Sequence, residues 1–145
     1  MNNNKHIFYA DDDLDDQELF REAVEEIGGS YDLHMRSDGR QLLNLLQSPP
    51  PAPDVIFLDL NMPLMNGYQA LTEIRKDTKT RNIPVVIFST SDDEKTINRS
   101  RELGANLYVP KPTSYKAIKK VLRHSLGIDW KTFDPGKENF VFRAS

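Results

Sequence analysis

Short apolar runs alternate with segments of helical periodicity along this chain. Residues 6–10 form a continuous apolar run, which is typical of a strand covered on both faces. The next segment has helical spacing, and its apolar residues share one face: Leu19, Phe20, Ala23, Val24 and Ile27. Asp13 is placed to cap this helix, and Gly28-Gly29 ends it. The alternation predicts repeated βαβ units.

The pattern recurs along the chain. Further strands are predicted over residues 31–36, 54–58, 85–88 and 107–109, and the first of these is polar enough to lie at a sheet edge. Further helices are predicted after Ser37-Asp38, around residues 70–74, over residues 93–103 and after Ser114. The fourth helix has a thin apolar stripe, Ile97 and Leu103, which predicts loose docking. Prolines predict a stiff link before the third strand: Pro49, Pro50, Pro51 and Pro53.

Five strands alternating with five helices predict an α/β fold, a flavodoxin-like (βα)5 three-layer sandwich around a parallel five-stranded sheet of order 2-1-3-4-5. We expect one domain over residues 1–126. Residues 127–145 then form an extension with no separate output domain. Its apolar residues either fold back on the body or form a docking or dimerising arm: Ile128, Trp130, Phe133, Phe140, Val141 and Phe142.

Composition narrows the class of protein. The net charge of −3 and sequence pI of about 5.6 give no electrostatic footprint for duplex DNA. The chain has no cysteine, which excludes a disulfide framework and a thiolate metal site. No apolar run approaches the roughly 20 residues that span a bilayer, and residues 1–5 lack the apolar core of a signal peptide. We therefore expect a cytoplasmic protein without membrane insertion.

Polar side chains follow four of the predicted strands, at the point where each strand ends. They are Asp11 and Asp12, Asp59, Ser89 and Lys111. Because the carboxyl ends of parallel strands meet at one edge of a sheet, these side chains are expected to converge. Three carboxylates beside one ammonium require a cation, and Mg²⁺ prefers oxygen ligands.

The expected ligand set combines side chains and backbone. We expect Asp12 and Asp59 to bind Mg²⁺ directly, a backbone carbonyl near Asn61 to be a third ligand, and Asp11 to act through water. Asp59 is the best candidate nucleophile because it ends the central strand and begins a long loop, so it would form an aspartyl-phosphate. Lys111 would balance the phosphoryl oxygens, and Ser89 would donate a hydrogen bond to one of them.

Four stretches resemble the receiver domain of two-component response regulators over about residues 5 to 126. They are IFYADDDLDD, DVIFLDLNMPLMNGYQAL, IPVVIFSTS and YVPKP. By this resemblance, Asp11 and Asp12 match the acidic pair, Asp59 the phosphoacceptor, Ser89 the switch hydroxyl and Lys111 the invariant lysine. Tyr108 falls at the position of the switch aromatic. The Lys111-Pro112 bond is implied to be cis.

The resemblance implies a phosphorylation-activated signalling protein that requires magnesium. A histidine kinase or a histidine phosphotransfer protein would donate the phosphoryl group to Asp59. Ser89 would move inward, Tyr108 would rotate, and the surface of the fourth helix, fifth strand and fifth helix would then engage a downstream target protein. The chain would not be an enzyme beyond its own phosphorylation and slow dephosphorylation. A relay intermediate, a homodimer and a non-phosphorylated binding module stay open.

Other interpretations of the acidic residues are weaker. A haloacid-dehalogenase phosphatase would resemble D-x-D, but Leu60-Asn61 follow Asp59, so its general acid is missing. A calcium loop beginning at Asp11 needs glycine at its sixth position, where Asp16 stands. The acids Asp13, Asp15 and Asp16 are interpreted as solvated charge at a helix start, which the helix dipole favours.

Overall fold

The computed structural model describes residues 4–47, 52–134, 136 and 139–144. Two features considered above fall outside these ranges. The first is the start of the amino terminus, residues 1–3. The second is the part of the expected proline link that contains Pro49, Pro50 and Pro51.

Five parallel strands form one sheet of order β2-β1-β3-β4-β5, which confirms the predicted topology. The strands are β1 (Lys5–Ala10), β2 (Tyr31–Arg36), β3 (Val55–Leu58), β4 (Val85–Ser89) and β5 (Leu107–Pro110). β3 is central and wholly buried, as a continuous apolar run requires. β2 is half-buried along its length, because it lies at the sheet edge.

Helices follow each strand and cover both faces of the sheet. They are α1 (Leu14–Ile27), α2 (Gly39–Gln47), α3 (Gly67–Lys76), α4 (Glu94–Glu102) and α5 (Tyr115–Leu126). Asp13 caps α1 by accepting from the backbone N–H groups of Asp15 and Asp16, as predicted. Ser114 caps α5 in the same way, through the N–H of Ala117.

The core has two layers separated by the sheet. One layer packs α2, α3 and α4 against one face of the sheet, and its centre includes Phe8, Leu58 and Leu71. The other packs α1 and α5 against the opposite face around Tyr9, Phe20 and Phe57. Leu19 departs from the sequence prediction: it is 37% exposed, because α1 turns its neighbour Phe20 towards the sheet instead.

The described part of the carboxyl-terminal extension folds back on the domain. Val141 forms a parallel bridge with Tyr108 at the outer edge of β5. Tyr108 N–H donates to Phe140 O at 2.8 Å, and Phe142 N–H donates to Tyr108 O at 3.0 Å. Phe140 is buried, and the Phe142 ring stacks on His124 of α5. Of the two interpretations of these apolar residues, folding back on the body is the one observed.

Across the described ranges, no helix combines the length and the apolar character needed to cross a bilayer.

Candidate functional site

The carboxyl ends of β1 and β3 bring three carboxylates together. Asp59 follows β3, and its N–H donates to Ala10 O at 3.0 Å, so the two strand ends are joined directly before the acids. Asp11 and Asp59 are buried, whereas Asp12 is exposed. One oxygen of each of the three lies within 4.8 Å of the others. The predicted convergence of the acids is therefore observed.

Lys111 follows the edge strand β5, and its side chain extends to the same cluster of carboxylates. Ser89 of β4 is in register with Pro110 of β5, and Lys111 N–H donates to Ser89 O at 2.7 Å. The Lys111 ammonium lies 2.7 Å from Asp11 Oδ2 and 3.8 Å from Asp59 Oδ1. Its side chain is only 9% exposed, so these charges interact with little screening.

The protonation of Asp59 is shifted by its surroundings. Burial and the neighbouring Asp11 carboxylate raise the pKa of Asp59 to about 7, although Lys111 acts in the opposite direction. Leu60 N–H donates to Asp59 Oδ1 at 2.9 Å, which also favours the ionised form. Burial and the Asp11 carboxylate therefore outweigh the opposing effects of Lys111 and of the Leu60 N–H on the pKa of Asp59.

Both oxygens of Asp11 are already engaged within the protein. Oδ2 accepts from Tyr9 Oη at 2.5 Å and from Lys111, and Oδ1 accepts from Asp13 N–H at 3.0 Å. Burial and the Asp11 carboxylate raise the pKa of the Tyr9 phenol. Sequence reasoning missed Tyr9, although it precedes Asp11 by two residues and so shares its side of the strand.

A divalent oxygen-seeking cation fits this donor set. Asp12 and Asp59 offer carboxylate oxygens that are less occupied than those of Asp11, and the three acids are near enough to share one ion. The ligands expected from the sequence, including the backbone carbonyl of Asn61, remain predictions. The structure places Asn61 on an exposed loop two residues after Asp59.

Ser89 and Tyr108 connect the pocket to the β4–α4 loop. Ser89 is buried at the end of β4, and its Oγ accepts from Ser91 N–H at 3.2 Å. The Tyr108 hydroxyl donates to Ser91 O at 2.7 Å. Burial raises the pKa of Tyr108 to about 12. Tyr108 therefore contacts the loop that follows Ser89. The cis geometry of the Lys111-Pro112 bond stays a prediction.

Asp16 corrects the interpretation of the helix-start acids as solvated charge. Its Oδ2 accepts from the Lys111 ammonium at 2.8 Å, so this residue of α1 belongs to the pocket. Its position could have indicated this, since Asp16 lies in the first turn of α1, which begins directly after the acidic pair. Asp13 does act as the cap expected of it.

The loop after Asp59 is held close to the site by a glycine. Gly67 begins α3, and its N–H donates to Leu60 O at 3.0 Å. A Cβ at position 67 would lie 2.3 Å from Asp59 O and 2.7 Å from Leu60 Cα. Only glycine permits this approach of α3 to the backbone that carries Asp59.

This fold and acidic edge define a class of signalling domain. A sequence model of the response regulator receiver domain matches residues 7–123. The chain belongs to the response regulator receiver domain family, which confirms the resemblance noted from its motifs.

Individual relatives agree with this assignment. Response regulator Rcp1 of Synechocystis sp. is 31% identical over 124 residues, covering 82% of this chain and 84% of Rcp1. The crystal structure of Mn²⁺-bound Rcp1 has a TM-score of 0.78 at 29% identity, covering 85% of this chain and 95% of that one. The phosphorylated cyanobacterial phytochrome response regulator RcpA also has a TM-score of 0.78, at 30% identity, covering 86% and 95%.

Some relatives are much longer than this chain. The sensor histidine kinase CheAY of Helicobacter pylori is 28% identical over 123 residues, which cover 85% of this chain but 15% of the kinase.

Proposed function

We propose that Asp59 accepts a phosphoryl group from a histidine kinase or a histidine phosphotransfer protein. One observation carries this proposal: the Asp59 carboxylate is buried beside Asp11 and Asp12, 3.8 Å from the Lys111 ammonium. Such a pocket promotes phosphoryl transfer mainly by positioning the reacting groups and by stabilising their charge. The solved structure of a phosphorylated relative, RcpA, supports the same use of the fold.

The transfer exchanges one bond for another. An Asp59 carboxylate oxygen attacks phosphorus, a P–O bond forms, and the P–N bond to the donor histidine breaks with its electron pair returning to the imidazole. Lys111 balances charge on the phosphoryl oxygens. Ser89 turns its hydroxyl from the Ser91 N–H to donate to one of them.

The transfer also requires positive charge beyond that of Lys111, and a magnesium ion would supply it. Asp12, Asp59 and the Asn61 carbonyl would hold it, and Asp11 would contact it through water, since both Asp11 oxygens already accept hydrogen bonds. The ion supplies positive charge beside the transferring group. The Mn²⁺-bound structure of Rcp1 supports a divalent-cation site in this fold.

The output follows from the contacts of Tyr108. Inward movement of Ser89 alters the β4–α4 loop, where Ser91 O accepts from the Tyr108 hydroxyl. Tyr108 then moves, and with it the surface formed by α4, β5 and α5, which binds a downstream target protein. In this chain Val141 of the carboxyl-terminal extension forms a bridge with Tyr108 at the outer edge of β5. A movement of Tyr108 would therefore also displace the carboxyl-terminal extension. The protein acts in signalling. The reactions that it catalyses are its own phosphorylation and its own slow dephosphorylation.

The test is labelling with a small phosphodonor. We expect the wild-type chain, incubated with acetyl phosphate and Mg²⁺, to gain the mass of one phosphoryl group and to lose it on treatment with base or hydroxylamine. Asp59→Asn removes the nucleophile and is expected to abolish this gain while the fold persists. Asp15→Asn, an exposed acid in the first turn of α1, is the control and should label normally. Equal labelling of the Asp59→Asn variant would refute the assignment.

A further inference from the structure

Lys111 is shared between acids in a way that the proposed function does not require. Its ammonium donates to Asp11 Oδ2 at 2.7 Å and to Asp16 Oδ2 at 2.8 Å. These two contacts hold the nitrogen 3.8 Å from Asp59 Oδ1, which is beyond hydrogen-bond distance. The lysine therefore rests on two carboxylates that are not the phosphoacceptor.

The two carboxylates differ in how firmly they are held. Asp11 is fully buried and also accepts from Tyr9 and from the Asp13 N–H, so it is fixed in place. Asp16 stands at the rim of the pocket, and its side chain is 31% exposed. Among the described residues, the contact that ties its carboxylate to the pocket is the hydrogen bond from the Lys111 ammonium. Of the two, Asp16 is the acid that can be solvated again when the lysine moves away.

Asp16 also changes the charge of the pocket. Together with Asp11, Asp12 and Asp59 it brings four carboxylates against the single ammonium of Lys111, a formal charge of −3 at this site. One divalent cation leaves −1. An incoming phosphoryl group is itself an anion, so both the competition for Lys111 and the residual charge oppose it.

We propose that Asp16 is a positioning residue that competes with the phosphoryl group for the Lys111 ammonium and thereby slows acyl-phosphate formation on Asp59. The inference rests on the proposed function of Asp59. Asp16 takes no part in the bonds made and broken. It acts through Lys111, which must shift its charge from the Asp16 carboxylate to the phosphoryl oxygens as the group arrives.

The chain offers a matched control for this effect. Asp15 lies in the same first turn of α1, is exposed, and interacts with the same helix dipole. Asp15→Asn removes the same unit of charge as Asp16→Asn, but it breaks no contact with Lys111. Asp16→Glu keeps the charge and the capacity to pair with the lysine.

The experiment measures two quantities with Mg²⁺ present: the rate of labelling by acetyl phosphate, and the affinity for beryllofluoride, a phosphoryl mimic, followed by fluorine NMR. We expect Asp16→Asn to raise both about two- to fivefold, the effect of losing one partly exposed ion pair. Asp15→Asn should stay within about 1.5-fold of wild type, because distant exposed charges are screened. Asp16→Glu should restore rates close to wild type. Each of the two asparagine variants should unfold in a single cooperative transition, which shows that both are folded during the measurements.

The outcomes separate this inference from the proposed function. If Asp16→Asn and Asp15→Asn behave alike, or if Asp16→Asn labels more slowly than wild type, the competing role of Asp16 is overturned while phosphorylation of Asp59 stands. If the wild-type chain neither labels nor binds beryllofluoride, the proposed function fails and this inference fails with it.

Discussion

Gly67 shows how a single residue without chemistry of its own shapes the site. The start of α3 packs so closely on the backbone of Asp59 and Leu60 that a Cβ would meet main-chain atoms, which cannot swing aside as a side chain can. The position of Asp59, the proposed phosphoacceptor, therefore depends on a residue eight positions further along the chain.

We expect Gly67→Ala to destabilise the fold by about 1–3 kcal/mol, the usual cost of an overpacked position, and to slow labelling of Asp59 because its backbone is displaced. Denaturant unfolding and phosphodonor labelling measure the two effects. Gly136→Ala is the control, since the nearest atom to its added Cβ is a side-chain oxygen at 3.6 Å. An unfolding midpoint equal to that of wild type would contradict the prediction for position 67.

The residues of the site were predictable to the extent that they stand directly at strand ends. Asp11, Asp59 and Lys111 follow apolar runs, so the topology alone brings them together. Asp16 was misinterpreted because it lies on a helix rather than at a strand end. Its role depends on the length and direction of the Lys111 side chain, which no sequence pattern contains.

At the scale of elements, the carboxyl-terminal extension completes the sheet. The outer edge of β5 would otherwise present unpaired backbone groups, and the segment around Val141 pairs with them. Phe140 packs into the layer that contains α4, and Phe142 packs beside α5. The apolar spacing of these residues indicated burial, but the choice of β5 as their partner is a long-range event that sequence could not decide.

We expect Phe140→Ala to loosen this segment from β5, because it removes a buried ring at a cost of about 3 kcal/mol. The Tyr108 amide hydrogen, which donates to Phe140 O, should then exchange with solvent faster. Hydrogen exchange followed residue by residue measures this change. Amides of β1, which lies between β2 and β3, serve as the internal control. Unchanged protection of the Tyr108 amide would show that the segment stays docked without the ring.

The register of β1 against β2 creates a contact between two histidines that could not be predicted from their positions in the sequence. His6 and His34 are far apart along the chain, yet the pairing of β1 with β2 brings His6 Nδ1 within 3.2 Å of His34 Nε2. The order of the strands was predictable, because right-handed crossovers leave few arrangements. Which side chains meet across two strands depends on the register, and the pattern of apolar residues does not fix it for a half-buried edge strand.

At the scale of the whole molecule, the acidic pocket makes the free energy of unfolding depend on pH. The folded state holds acids close together, and burial and the Asp11 carboxylate raise the pKa of Asp59 to about 7 from an ordinary 3.8. Between these two pH values the unfolded chain releases the Asp59 proton and the folded chain retains it. The unfolded state therefore binds fewer protons, and the contribution of Asp59 to stability falls as pH rises through this window.

We therefore expect the free energy of unfolding of the metal-free wild type, relative to that of Asp59→Asn, to decrease by up to a few kcal/mol between about pH 4 and about pH 7 and to level off above. The proposed Mg²⁺ ion would bind the ionised carboxylates, so its stabilising effect should grow over the same window. Thermal unfolding with and without Mg²⁺, at several pH values, measures both. Asp12→Asn should weaken the Mg²⁺ effect, because it removes the exposed carboxylate among the candidate ligands. A difference between wild type and Asp59→Asn that is independent of pH would mean that Asp59 is ionised in the folded protein even without metal, and that Lys111 alone suffices to neutralise it.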